Sequence, residues 1–283
     1  MQPIFSKLGL AITFSPTGKA LLKESARLKK LFNSELLLIH IGTKNLATEG
    51  LMRSVLSEAG IQEDEVKLIW SKGDPAKEIL RISKEEKVDL LVMGALERER
   101  VFVYYAGSVA RRIMRESHCS VLALIAPSEN PKGFDKFYIS VDYTASSEIT
   151  AKKAYSFAKL EEAHEIGLIR DFYVPGLPMI VADAGKIEET NIIRQNWLEE
   201  EKNKLRIFAS EMNIKDPNVK MYCLYGKEGW EAANFAREKK ADIFAIPGPK
   251  KRLKLLDRIF THELEFIFEN LPSNILLIKD PDQ

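Results

Sequence analysis

The chain of 283 residues carries 42 lysines and arginines against 41 aspartates and glutamates, with 45% hydrophobic and 29% charged side chains. This is the composition of a folded globular protein long enough for about two domains, and it excludes disordered, fibrous and polyelectrolyte classes. Trp70, Trp197 and Trp230 lack the interleaved basic groups that a nucleic-acid-binding face needs, so no nucleic-acid partner is expected.

The longest apolar runs, such as Leu36 to Ile39 and Leu90 to Met93, are far shorter than the roughly 18 residues that cross a bilayer, so no membrane helix is expected. The opening residues MQPIFSKLGLAIT lack a basic stretch, a long apolar stretch and a cleavage site, which predicts a cytoplasmic protein. From Leu8 onward, short apolar runs alternate with helical patterns, the mark of βαβ units in a parallel sheet. The first half predicts strands over Leu10 to Thr13, Glu35 to Ile41, Val66 to Trp70, Leu90 to Met93 and Val121 to Ile125, each apolar enough for burial on both faces. Ser15 and Pro16 suit the N-cap and first position of a helix whose apolar face is Leu21, Leu22, Ala26 and Leu28.

The polar segment Pro127 to Gly133 ends this half, and the predicted units are residues 1–128 and 133–283. The second half predicts strands over Phe137 to Val141, Ile166 to Ile169, Val219 to Leu224, Ile243 to Ile246 and Ile275 to Ile278. The stretch KGDPAKEILRISKEEKVDLLVMG from Lys72 aligns with YGKEGWEAANFAREKKADIFAIPG from Tyr225 after one inserted residue, pairing Gly73 with Gly226 and Asp89 with Asp242. An internal duplication follows from this match. The second copy is longer across residues 172–212, which predict a loop and then a helix from about Glu188 to Met212, a lid or an added packing surface. Leu264, Ile267, Phe268 and Leu271 form a buried helical stripe.

Ligands of parallel α/β sheets collect outside the carboxyl ends of the strands. After the fourth strand comes Gly94, then a loop holding Glu97, Arg98 and Arg100, then Gly107, Ser108 and Val109 opening a helix. The first amides of a helix lack partners and its dipole is positive there, so main chain can hold a phosphate, while glycine permits close approach. The plainer alternative is that Ser108 caps its helix and Gly107 makes the turn.

Gly94, Gly107 and Ser108 match the G-x2-G-x9-G-S/T motif in identity and spacing, and Cys119, Ser120, Val121 resembles a frequent Cys-Pro-Val ending; by these residues the chain resembles the universal stress protein family. The duplication resembles its tandem members. The resemblance implies two tandem five-stranded parallel-sheet α/β domains of order 3-2-1-4-5, the adenine nucleotide alpha hydrolase-like fold. It also implies adenine nucleotide (ATP, ADP or AMP) held at Gly94, Gly107, Ser108 and Val109. ATP-binding members carry an acidic residue at the end of strand one, where this chain has Thr13 or Phe14, and the second motif glycine is replaced by Glu97, whose charge Arg98 and Arg100 can offset. In the second copy Asp142 stands at the acidic position and Gly248 at the first motif glycine. Lys251 takes the second glycine's place there, Thr261 and His262 replace Gly-Ser, and Lys250, Lys251, Arg252 and Lys254 form a basic run. Each copy thus keeps a different portion of one ancestral site.

Family dimers pair through their final strands, so Val121 to Ile125 and Ile275 to Ile278 are expected to join the copies as an intramolecular pseudo-dimer, with a homodimer or a regulatory protein as further partner. No nucleophile and base constellation, no phosphate-loop motif with Gly-Lys-Ser/Thr and no dinucleotide fingerprint occurs, so the expected protein is not an enzyme. His40, His118, His164 and His262 show no metal-ligand spacing, and Cys119 and Cys223 read as inert buried thiols, so no metal is expected. His40 reads as a satisfied structural residue. The leading functional reading is a cytoplasmic stress-response nucleotide sensor, and the alternative is an interaction scaffold with eroded pockets. A third, an adenylyl-transfer or hydrolytic enzyme of a related fold, lacks its acid, base and metal ligands.

Overall fold

The computed structural model describes residues 3–98, 103–173, 187–227, 229–249 and 261–280. In the first half, β1 (Lys7–Ala11), β2 (Glu35–Ile41), β3 (Lys67–Ser71), β4 (Leu90–Gly94) and β7 (Ser120–Leu124) build the sheet, while β5 (Leu96–Arg98) and β6 (Val103–Tyr105) form a separate small hairpin. The helices are α1 (Pro16–Phe32), α2 (Leu46–Glu58), α3 (Pro75–Glu85) and α4 (Ser108–Glu116). The second half contributes β8 (Lys136–Ser140), β9 (Glu165–Phe172), β10 (Val219–Tyr225), β11 (Ile243–Pro247) and β12 (Asn274–Ile278). Its helices are α5 (Ala145–Leu160), α6 (Ile187–Glu211), α7 (Trp230–Glu238) and α8 (Thr261–Glu269).

Within each half the strand order is 3-2-1-4-5, as expected: β3-β2-β1-β4-β7 and β10-β9-β8-β11-β12. Every neighbouring pair inside a half is parallel. Why an aspartate recurs at Asp89 and Asp242 is now physical. Asp89 accepts from the amides of Ser6 (2.6 Å) and Lys7 (3.1 Å), and Asp242 from those of Asp135 (2.8 Å) and Lys136 (2.9 Å). Each carboxylate satisfies amides at the start of a half's first strand. This anchoring explains why β1 begins at Lys7, earlier than the apolar run predicts. Ser15 takes the N-cap of α1 with Pro16 next, but its hydroxyl bonds Thr13 Oγ1 (3.0 Å) and Thr17 Oγ1 (3.2 Å) rather than the amides of the helix.

The halves meet at one antiparallel seam, Ile275 opposite Ala123, Leu276 opposite Leu122 and Leu277 opposite Val121, all buried. The ten strands are therefore one continuous sheet made of two parallel blocks facing opposite ways. The Ile125 amide donates to Asn274 Oδ1 at 2.7 Å and the Lys279 amide to Ser120 Oγ at 3.2 Å, closing both ends of the seam. On the face carrying α1 and α5 the apolar core runs across it, with Phe32 and Phe157 rings 4.8 Å apart. The other face holds α3, α4, α7 and α8.

Two reciprocal cation–ring contacts also cross the seam: Arg27 over Phe134 (5.1 Å) and Lys153 over Phe5 (5.3 Å). Arg27 additionally forks onto Glu161 at 2.7 and 2.8 Å and onto Glu24 at 2.7 and 3.1 Å. Two carboxylates thus share one guanidinium in a water-poor place, and burial raises the Glu24 carboxyl above its ordinary value against the pull of Arg27. A raised folded-state value means that Glu24 contributes stability fully below the unfolded glutamate value of about 4.3 and loses it as pH rises through the folded value. Glu24→Gln holds the site neutral, so thermal melts between pH 4 and 7 are expected to fall less steeply with rising pH than those of the native chain. Parallel curves for the two proteins contradict this assignment.

Candidate functional site

Chain direction reverses its progress across the sheet between β1 and β4 in the first half and between β8 and β11 in the second, and these are the switch points where crevices form. Because the seam is antiparallel, the two crevices open at opposite edges of the sheet. The predicted residues therefore divide into two separate groups. Thr13, Gly94, Gly107, Ser108 and Val109 belong to the first crevice, while Asp142 and Gly248 belong to the second.

In the first crevice, Thr13 is exposed, and its carbonyl presses on Gly18, where a Cβ would lie 2.2 Å from the oxygen. Beyond it, Phe14 and Trp70 flank His40 with ring centroids 4.7 Å away on each side. His40 is buried, and its Nδ1 lies 3.0 Å from the Ile12 carbonyl, so Nδ1 donates and the histidine is satisfied as expected. This aromatic trio sits at the carboxyl ends of β1, β2 and β3 and was not foreseen, since its members come from three strands.

Gly94 ends β4 against Leu21, whose Cδ1 would lie 3.0 Å from a Cβ there. The reading of Ser108 as a cap is corrected: Gly107 is the N-cap of α4, with no side-chain hydrogen bond to the helix, and Ser108 is the first helical residue. Ser108 and Val109 are exposed, and the positive end of α4 has no side-chain cap hydrogen bond and no acidic residue on its first turn. The preceding segment is not an open loop. Leu96 pairs with Tyr105, Glu97 with Tyr104 and Arg98 with Val103, because the β-branched and aromatic run favours a ladder. The Leu96 side chain leans on Gly107, its Cδ1 only 2.7 Å from where a Cβ would be. The side chains of Glu97 and Arg98, and Arg100 entirely, lie outside the described residues.

In the second crevice, Asp142 Oδ1 accepts from the Thr144 amide (3.0 Å) and hydroxyl (2.6 Å) in a tight turn, and Thr144 caps α5. Its exposed carboxylate thus has a local structural task. Gly248 donates to the Ile278 carbonyl at 2.7 Å, and a Cβ there would lie 2.7 Å from Lys279 Cδ, so the strand ends pack closely around it. Lys250, Lys251, Arg252 and Lys254 lie outside the described residues, as do the side chains of Thr261 and His262. Burial pushes the Cys119 and Cys223 thiols up to about 11, which makes them poor nucleophiles. Among the described residues no cluster of three His, Cys, Asp or Glu side chains suits a metal, and no helix is long and apolar enough to cross a membrane.

Residues 5–124 match the model of the universal stress protein family. A universal stress protein of Methanocaldococcus jannaschii is 36% identical over 58 residues, covering 20% of this chain and 34% of that protein, so the match spans about a third of that relative's length. A universal stress protein of Bacillus subtilis is 26% identical over 148 residues, 42% of this chain and 98% of that one. The crystal structure of a universal stress protein from Archaeoglobus fulgidus superposes with a TM-score of 0.67 at 16% identity, covering 99% of both chains, which is a likeness of fold.

The packing around Thr13 gives a paired test. Gly18→Ala forces a Cβ into the Thr13 carbonyl and is expected to cost roughly 2 kcal/mol or more, whereas Gly50→Ala, in α2 with nothing within 4 Å, is expected to add about 0.5–1 kcal/mol. Urea melts of the two variants check this, and equal shifts in one direction contradict it.

Proposed function

This chain belongs to the universal stress protein family, and from that premise we propose that it is a non-catalytic, cytoplasmic stress-response protein that senses adenine nucleotide in its first crevice. The observation that carries the reading is the start of α4, where Gly107 supplies no capping side chain and the first two helical residues, Ser108 and Val109, are exposed. In this reading those amides hold the phosphates of ATP, ADP or AMP, Gly94 and Thr13 line the approach, and Arg98 adds a cation. The Phe14, His40 and Trp70 rings offer an apolar flank for the nucleoside. Asp142 and Gly248 form the reduced counterpart in the second crevice.

Residues 1–128 and 133–283 act, in the same reading, as tandem units paired as an intramolecular pseudo-dimer. Nucleotide occupancy at α4 alters what the first half presents to a regulatory protein or a second copy. One structural link suits this role: the Ala106 amide, just before Gly107, donates to the Phe268 carbonyl of α8 at 2.8 Å. Arg115 Nε reaches Glu265 at 2.6 Å along the same contact.

A second reading, an interaction scaffold that holds no nucleotide, is favoured by one observation, the Leu96 side chain resting on Gly107. Calorimetry with ATP and AMP separates the two. The sensor reading predicts heat from the native chain that is lost in Ser108→Asp, whose carboxylate repels phosphate, and increased affinity in Leu96→Ala. No heat from either the native chain or Leu96→Ala overturns it in favour of the scaffold.

A further inference from the structure

The duplication allows the two crevices to be compared position by position. Lys7 pairs with Glu35 and Lys136 with Glu165, so the sixth residue of β2, His40, corresponds to the sixth of β9, Arg170. Likewise the Ile12 amide donates to Ile39 and the Val141 amide to Ile169, which makes Phe14 the counterpart of Tyr143. Where the first half stacks an imidazole on a phenyl ring, the second stacks a guanidinium on a phenol, Arg170 lying 5.2 Å from the Tyr143 ring centre.

A guanidinium in that place needs an anion, because its side chain is only 15% exposed. Glu201, itself buried, supplies one. Its Oε2 lies 3.5 Å from Arg170 Nε and accepts from Tyr143 Oη at 3.3 Å, and Lys204 Nζ donates to its Oε1 at 2.9 Å. Glu201 arrives on α6, a helix of 25 residues where the first half has α2 with 13. It is also the point where α6 docks. Leu205, Phe208 and Ala209, after it, are buried, whereas Arg194 to Trp197, Glu199 and Glu200, before it, are exposed.

We propose that Arg170, Tyr143 and Lys204 form a binding site for a phosphate group beneath α6, which Glu201 occupies as an internal stand-in and leaves when phosphate enters. The geometry favours exchange. The contacts that reach Glu201 from outside its helix are all long: Tyr143 Oη lies 3.3 Å from both its Oε2 and its main-chain carbonyl, and Arg170 Nε lies 3.5 Å from Oε2, whereas the close contact comes from the same helix. Lys204 also meets Glu200 Oε1 at 2.9 Å, and a tetrahedral phosphate presents more oxygens to Arg170, Tyr143 and Lys204 than the Glu201 carboxylate does. Displacing Glu201 removes the buried contact next to the exposed part of α6, so ligand binding is read out as local opening of that helix.

The test uses the full chain and inorganic phosphate. Amide hydrogen exchange over residues 194–204 is expected to rise about threefold or more in phosphate relative to chloride or acetate at equal ionic strength and pH, and the response is lost in Arg170→Gln. Glu201→Gln, which weakens the internal competitor, is expected to bind phosphate about tenfold more tightly by calorimetry. Equal exchange in phosphate and chloride overturns the proposal, as does a response that survives in Arg170→Gln. An acetate response equal to that of phosphate overturns the phosphate assignment. If Glu201→Gln does not fold, the exchange comparison on the native chain decides alone. Because Arg170 is remote from Gly107, binding lost in Ser108→Asp but kept in Arg170→Gln reports on the first crevice instead.

Discussion

The antiparallel pairing of β7 with β12 is the constraint from which the rest of the molecule follows. Beyond Ser120 and Asn274 both strands are apolar on both faces and buried, SVLAL in one and NILLI in the other, and each would be an unpaired edge if its half stood alone. An exposed edge of that composition invites association, so mutual pairing removes two liabilities at once. It also sets the geometry of function, since joining the halves head to head sends their strand ends, and hence their crevices, to opposite edges of the sheet.

On either side of the seam the two halves differ in their details. At the first crevice the start of α4 is left uncapped and the strand ends carry an aromatic trio. At the second, Gly248 is closely packed, Asp142 is spent on a turn, and Glu201 from the longer α6 neutralises Arg170. The contacts across the seam differ between the halves as well. Arg27 and Lys153 each cover a phenylalanine of the opposite half, but only Arg27 bridges two carboxylates, one from each half.

Much of this was legible in the sequence, for identifiable reasons. Strands buried on both faces leave continuous apolar runs, and the order of elements with Asp89 and Asp242 at matching places made the shared strand order of the two halves readable. The end of α6 near Glu211 and its start near Ile187 agree closely with the helix read from periodicity. The hairpin of β5 and β6 was missed although Val103, Tyr104 and Tyr105 signal a strand, because the spacing of the motif glycines suggested a loop. Other features were illegible in principle. Phe14, His40 and Trp70, or Tyr143, Arg170 and Glu201, meet only when separate strands and a helix are brought side by side, and Glu24 shares Arg27 with a second carboxylate only because Glu161 arrives from the other half.

The seam can be measured directly. Val121 and Leu277 face each other across it, and a directly opposed antiparallel pair brings Cα atoms to about 4.5–5.5 Å, within the range that a disulfide accepts. With Cys119 and Cys223 replaced by serine, Val121→Cys and Leu277→Cys introduced together are predicted to form a disulfide inside one chain on mild oxidation, detected by intact and peptide mass spectrometry. A bond that links two chains, or two thiols that stay reduced in the folded protein, would contradict the account.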